Sequence, residues 1–282
     1  MIPDLQKKKM LMIVKTYPTP SIKYGETVCT AGITDEGEWI RLYPLRYRRL
    51  NKNQQFNKYT WIEATVYRNP KDLRVESYKI DESTLKVLNK LDAKKDMDER
   101  KKWILPLCKN SLEEVIESHQ QFNTSLGIFQ PKEVLDLVIT PADKNWSSEQ
   151  EMCLNQMGLF EDQNIVKLQK VPWDFSFKFT CNNGCKSVHK LKITDWEIYQ
   201  TYRNFKKYYG DEKVALKKLS EKWMNYFNND NKDSYFIVGT VHPWPTFIIL
   251  GVVSYSKQKV NKEKIKTSSK VNNPIEGQIT FI

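Results

Sequence analysis

Over the first 80 residues, apolar and β-branched side chains come in short runs at 8–17, 26–33, 38–43 and 59–67, broken by turn-formers at 17–21 and 35–37. Short aromatic and β-branched runs with turn punctuation predict strands, and several in succession predict a small barrel or a strongly twisted sheet. Between 82 and 121 the spacing becomes helical, with Asn110 or Ser111 placed to cap a helix, and these helices are expected to cover one end of the barrel. Residues 131–140 return to strand. Residues 149–158 read as helix. Trp173, Phe175, Phe177 and Phe179 then alternate with Asp174, Ser176 and Lys178, the period of a half-buried strand. Helices follow at 194–208 and 212–227, then two apolar strands at 235–241 and 246–255. No repeat recurs at a fixed period.

This order of elements predicts an α+β chain. A β-rich barrel domain with covering helices spans 1–140, and a second mixed β-sheet and helix domain spans 141–255, with 141–150 as the boundary. A polar, lysine-rich tail at 256–282 is expected to be flexible. Two domains suit a length of 282 residues, and 40% hydrophobic residues suffice to bury real cores.

Charge changes the picture more than composition does. The net +11 is concentrated: residues 41–58 hold six basic residues and no acid, and residues 257–270 hold six lysines against Glu263. Clustered positive charge gains counterion release on phosphate, so nucleic acid, DNA or RNA, is the first expected partner, with an anionic membrane surface as the competitor. Within 41–58, aromatic residues are interleaved with the cations, as single-strand binding requires for stacking bases along a tracked backbone. The residues expected to contact nucleic acid are Lys15, Arg41, Tyr43, Arg46, Tyr47, Arg48, Arg49, Lys52, Lys58 and Tyr59. The alternative is that the rings are core and the arginines pair with acids elsewhere in the fold.

The segment 15–44 adds a resemblance. Lys15, Lys23, Gly25, Val28-Cys29, Ala31-Gly32 and Gly37-Glu38-Trp39-Ile40-Arg41 before Pro44 resemble the opening of the dual OB-containing domains of bacterial and phage proteins. It departs at Tyr17-Pro18 and Leu42-Tyr43. The resemblance implies an OB-like barrel, a common oligonucleotide-binding scaffold, and a role in DNA metabolism or anti-phage defence, without identifying catalytic chemistry. Later segments look like a widespread family of uncharacterised bacterial proteins.

Three further patterns carry chemistry. Cys181, Cys185 and His189, at C-x3-C-x3-H spacing, are soft and borderline ligands suited to zinc, but a fourth must fold in from elsewhere, with His242, Cys153 and Asp195 as the choices. Asp195 and Glu197 are the carboxylates a metal-dependent nuclease would use. Thr194 to Glu197 also spells a capping box for the following helix, which explains the same residues without catalysis. Gln278, Ile279, Phe281 and Ile282 resemble the short peptides by which bacterial replication and repair proteins dock on a sliding clamp. The five scattered cysteines do not form a disulfide framework, no run is long enough for a membrane span, and the first residues lack a signal-peptide layout, so a cytoplasmic protein is expected. No phosphate-cradling glycine pattern is present. The expectation is a non-catalytic nucleic-acid-binding protein, with the nuclease and the clamp-docking protein as alternatives.

Overall fold

The barrel is built by a strand that is buried on both faces. β1 (Leu5–Lys15) alternates between partial and full exposure at its start, then runs fully buried from Met10 to Val14. Its period of two sends Met10 and Met12 into one core and Leu11 and Ile13 into another. The computed structural model describes residues 4–70, 72–158, 166–182, 185, 187–241 and 246–257.

After β1 come the short β2 (Thr19–Ser21), then β3 (Gly25–Thr34), β4 (Trp39–Leu45), β5 (Thr60–Arg68), β6 (Ser77–Ile80) and β7 (Lys86–Lys90). The sheet order β1-β3-β4-β6-β5 closes where β5 pairs with β1, giving a five-stranded mixed barrel. Every pair in it is antiparallel except β4 with β6. β2 and β7 extend it along β3 and β5. Met10, Met12, Ile40, Leu42 and Ile62 fill the interior.

The rest of the chain is α1 (Met97–Ile104), β8 (Cys108–Lys109), α2 (Leu112–Phe122), β9 (Leu126–Phe129), β10 (Glu133–Pro141), α3 (Ser148–Gly158), β11 (Trp173–Thr180), β12 (Val188–Lys192), α4 (Trp196–Tyr209), α5 (Glu212–Met224), β13 (Lys232–Val241) and β14 (Thr246–Ser256). Two sheets form, β10-β11-β12 and β14-β13-β9-β8. The α+β class and the N-terminal barrel are therefore as expected. The expected boundary at 141–150 falls in the connection between β10 and β11, which pair with each other.

The outer face of the barrel does not meet water where β1 and β3 pass the second sheet. Leu11, Ile13, Ala31 and Ile33 pack with Leu126, Ile128, Ile237, Leu250 and Tyr255, a shared apolar layer between barrel and sheet. The third core holds the predicted aromatic stripe: Phe175, Phe177 and Phe179 are fully buried, with Phe177 and Phe179 ringed by Phe236 and its neighbours. Truncating any of them to Ala is expected to cost about 3–5 kcal/mol.

Two local expectations change. The helix anticipated from residue 82 starts only at Met97; residues 86–90 form β7, because Lys86 and Val87 find partners on β5 that local propensity cannot see. The capping box at Thr194 is replaced by an Asp195 cap: Asp195 Oδ1 accepts the Glu197 N–H at 3.0 Å, while Thr194 Oγ1 bonds the Ile249 carbonyl. Ser111 caps α2 through the Glu114 N–H. Among the described residues no helix is long and apolar enough to cross a membrane.

Candidate functional site

A cavity of about 1030 Å³ opens between barrel and second region. Its barrel wall is made by β3 and β4 together with the loops 16–24 and 69–76, which supply Tyr17, Tyr24, Arg41, Tyr43 and Arg74. The opposite wall brings Trp146, Lys170, Lys192 and Tyr199. Tyr17 stacks on Tyr199 with centroids 4.8 Å apart, and its hydroxyl donates to the Gln169 carbonyl, so this pair is fixed. Tyr43, by contrast, is 41% exposed and leaves its ring available to a ligand.

Arg41 anchors the cavity to the second sheet. It is 3% exposed, and its guanidinium donates to the Ser125 carbonyl at 2.9 Å and to the Thr240 carbonyl at 3.4 Å. Glu76 accepts the Ser125 N–H at 2.5 Å, which fixes the acceptor. Gly239 leaves room for this guanidinium: a Cβ would lie 2.7 Å from Arg41 Nη2, and one of the two would have to shift. Arg74 forms a two-pronged pair with Asp72 at 2.8 and 2.7 Å. Burial opposes ionisation of Asp72, but Arg74 and the Ser77 hydroxyl overcome it and hold the carboxyl well below its usual range. Lys192 pairs with Asp174 at 2.7 Å. Lys23 and Lys79 line the same cavity, and among the described residues neither has a carboxylate partner.

A second hollow, about 380 Å³, holds Lys15, Lys58, Tyr59, Arg100 and Glu197. Lys58 Nζ sits 2.6 Å from Asp195 Oδ2 and 3.2 Å from Glu197 Oε2. Burial pulls its pKa down, but the two carboxylates outweigh that and keep the ammonium charged. Asp195 is fully buried, with one oxygen on Lys58 and the other on the helix N–H. It serves as a cap and a counter-ion, and its two oxygens are engaged in both roles. Lys15 lies 4.0 Å above the Tyr47 ring and 4.9 Å above that of Trp196. Burial, then the neighbouring Lys58, lowers it to about 8.

The anticipated basic residues therefore separate. Arg41 and Tyr43 line the large cavity, while Lys15, Lys58 and Tyr59 line the small one. Arg46 pairs with Glu82 and Arg48 with the buried Glu26, at 2.9 and 2.8 Å. Tyr47 is core, Arg49 is half-buried and Lys52 is exposed. Tyr17, Tyr24, Arg74, Lys79, Trp146, Lys170 and Lys192 were not anticipated at the site. The Asn69-Pro70 turn before Asp72 and Arg74 is the one sequence signal that could have raised that loop.

Cys181 and His189 come together at the ends of the β11–β12 hairpin, with Cys185 Sγ 3.2 Å from His189 Nε2. The residue that joins them is Glu113 of α2, with Oε1 3.0 Å from His189 Nε2. Of the fourth ligands considered from sequence, Asp195 is engaged with Lys58 and His242 lies outside the described residues, as do residues 258–282 with Gln278, Ile279, Phe281 and Ile282.

Geometry thus defines a class: a small mixed barrel whose outer face, at its second and third strands, is roofed by an α+β region to enclose a basic, aromatic cavity. The chain belongs to the family described as Domain of unknown function (DUF8757), whose model matches residues 108–273. A second model, Domain of unknown function (DUF8758), matches residues 6–106, so the two meet at Leu107, where α1 has ended and β8 begins. No curated protein matches the chain.

Proposed function

We propose that the chain binds a short stretch of single-stranded nucleic acid, with one or two nucleotides held in the large cavity. The observation that carries this is the cavity's position. The order β1-β3-β4-β6-β5, closed on β1 with one parallel pair, supports an OB-like reading of the barrel. OB barrels bind oligonucleotides on their second and third strands and on the loops between strands one and two and between strands four and five. The corresponding parts here are β3, β4, 16–24 and 69–76, the four that line the cavity.

The chemistry agrees. Lys23 and Lys79 are available to phosphate, and the exposed Tyr43 ring offers a stacking platform. The second region closes the far side, so the volume suits a ligand of roughly nucleotide to dinucleotide size better than a long continuous track, sites of about 300–1,000 Å³ being typical for compact ligands.

Fluorescence anisotropy with labelled single- and double-stranded DNA and RNA, at low and physiological salt, tests the reading. Single strands should bind with steep salt dependence, and Tyr43→Ala should weaken them about tenfold, since a stacked base contributes about 1–3 kcal/mol. If Tyr43→Ala binds as tightly as the parent while removal of residues 258–282 abolishes binding, the basic tail and not the cavity is the contact, and the proposal fails.

A further inference from the structure

None of Glu113, Cys181, Cys185 and His189 lines either hollow. We propose that these four side chains hold a structural zinc ion. Three elements bring them together. The β11–β12 ladder sets Thr180 opposite Val188 and Phe179 opposite His189, so Cys181 and His189 emerge side by side at the end of the hairpin. Cys185 comes from the segment of sequence between these two strands. Glu113 comes from the first turn of α2.

Ligand atoms of Glu113, Cys181 and His189 all lie within 4.8 Å of one another, and Cys185 Sγ approaches His189 Nε2 at 3.2 Å. Around tetrahedral zinc, with bonds of about 2.3 Å to sulfur and about 2.0–2.2 Å to nitrogen or oxygen, neighbouring ligand atoms stand roughly 3.3–3.8 Å apart. Glu113, Cys181 and His189 already gather to within 4.8 Å, and Cys185, in contact with His189, must turn in to complete the set. Two thiolates, an imidazole and a carboxylate are also the donor types that select zinc over magnesium or calcium.

Two features are poorly explained by hydrogen bonding alone. His189 Nε2 faces both Cys185 Sγ and Glu113 Oε1, at 3.2 and 3.0 Å, yet one ring nitrogen carries either a single N–H or a single lone pair. Among the described residues Glu113 Oε2 is buried without a hydrogen-bond partner, an orphan acceptor that folding leaves uncompensated. A cation bound among the four atoms resolves both. Its structural role would be to clasp the hairpin to α2, whose Leu112 and Val115 belong to the same core as Phe177 and Phe179. Four protein ligands leave no open position, so this is a closed structural site and not a catalytic one.

The test is metal content and spectroscopy on the full chain, expressed in zinc-replete medium. Elemental analysis should find about one zinc per chain. The cobalt(II)-exchanged protein should show near-ultraviolet thiolate charge-transfer bands and the intense visible bands of a tetrahedral ion, and Cys185→Ser should diminish the charge-transfer band. Glu113→Gln, which keeps size and shape, should weaken zinc about tenfold or more in competition with a chromogenic chelator while its circular dichroism stays that of the parent. Cys181→Ser and His189→Ala are expected to purify with little zinc even if they unfold, and chelation of the parent should lower its melting temperature reversibly. A parent chain that purifies without zinc, takes up none and melts at the same temperature with and without chelator overturns the proposal, as does a Glu113→Gln chain that holds zinc as tightly as the parent.

Discussion

The two hollows contain the same kinds of residue, lysine and arginine among tyrosine and tryptophan, and they use them in opposite ways. In the small one, Asp195 and Glu197 reach Lys58, and the cation becomes part of the cement between barrel and α4. In the large one, the carboxylates Asp72 and Asp174 occupy Arg74 and Lys192 but leave Lys23, Lys79 and the Tyr43 ring to a ligand. Residue type does not distinguish a binding surface from a structural joint. What does is whether the fold delivers a counter-charge within about 4 Å.

The largest expected effect tests the cement. Lys58→Met should lower the unfolding free energy by about 3–5 kcal/mol in urea titrations, because it leaves the fully buried Asp195 carboxylate uncompensated. The double variant Lys58→Met with Asp195→Leu should recover much of that loss. Equal stability of Lys58→Met and the parent would mean that the pair is not structural.

Gly239→Ala acts on the large cavity through two of its lining residues, Leu250 and Arg41. Its Cβ would lie 2.6 Å from Leu250 Cδ1 and 2.7 Å from Arg41 Nη2, a crowding expected to cost about 1–3 kcal/mol by denaturant melt and to reduce oligonucleotide affinity as Arg41 shifts. Loss of stability with affinity intact would detach Arg41 from the site.

The small hollow should also leave a mark on pH dependence. Lys15 has a folded pKa of about 8 against an ordinary 10.5. Between those values the unfolded chain holds a proton that the folded chain has released, so stability rises with pH across the window, by at most about 1.4 kcal/mol per unit. The buried Tyr47 and Tyr59, held up to about 12 from 10.0, oppose this only above about pH 10. Comparing Lys15→Met with the parent from pH 7 to 10 should show the parent gaining, and parallel curves would contradict a buried, desolvated Lys15. The smallest effect belongs to the open rim: Lys79→Ala should weaken binding a few-fold and reduce the slope of log K against log salt by about one, with unfolding unchanged.

The barrel was legible because its strands alternate apolar residues with period two and are punctuated by turns, and the stripe at Phe175, Phe177 and Phe179 was legible for the same reason. β7 was not, since Lys86 to Lys90 has the polarity of a helix face and is a strand only because β5 has an open edge. Of the metal-type cluster, Cys181, Cys185 and His189 could be read from spacing, whereas Glu113 could not.

What the sequence determined by itself is local: where strands and helices form, which faces are apolar, that the excess charge is concentrated in two segments, and which short segments carry ligand-type residues. Those properties follow from periodicities of a few residues. The tertiary structure decided the partners. It set Asp195 against Lys58 across 137 positions, Ser125 beneath Arg41 across 84, and Glu113 beside His189. A cation's role depends on the charges and carbonyls within a few ångströms of it, and chain closure can bring those from any distance along the sequence.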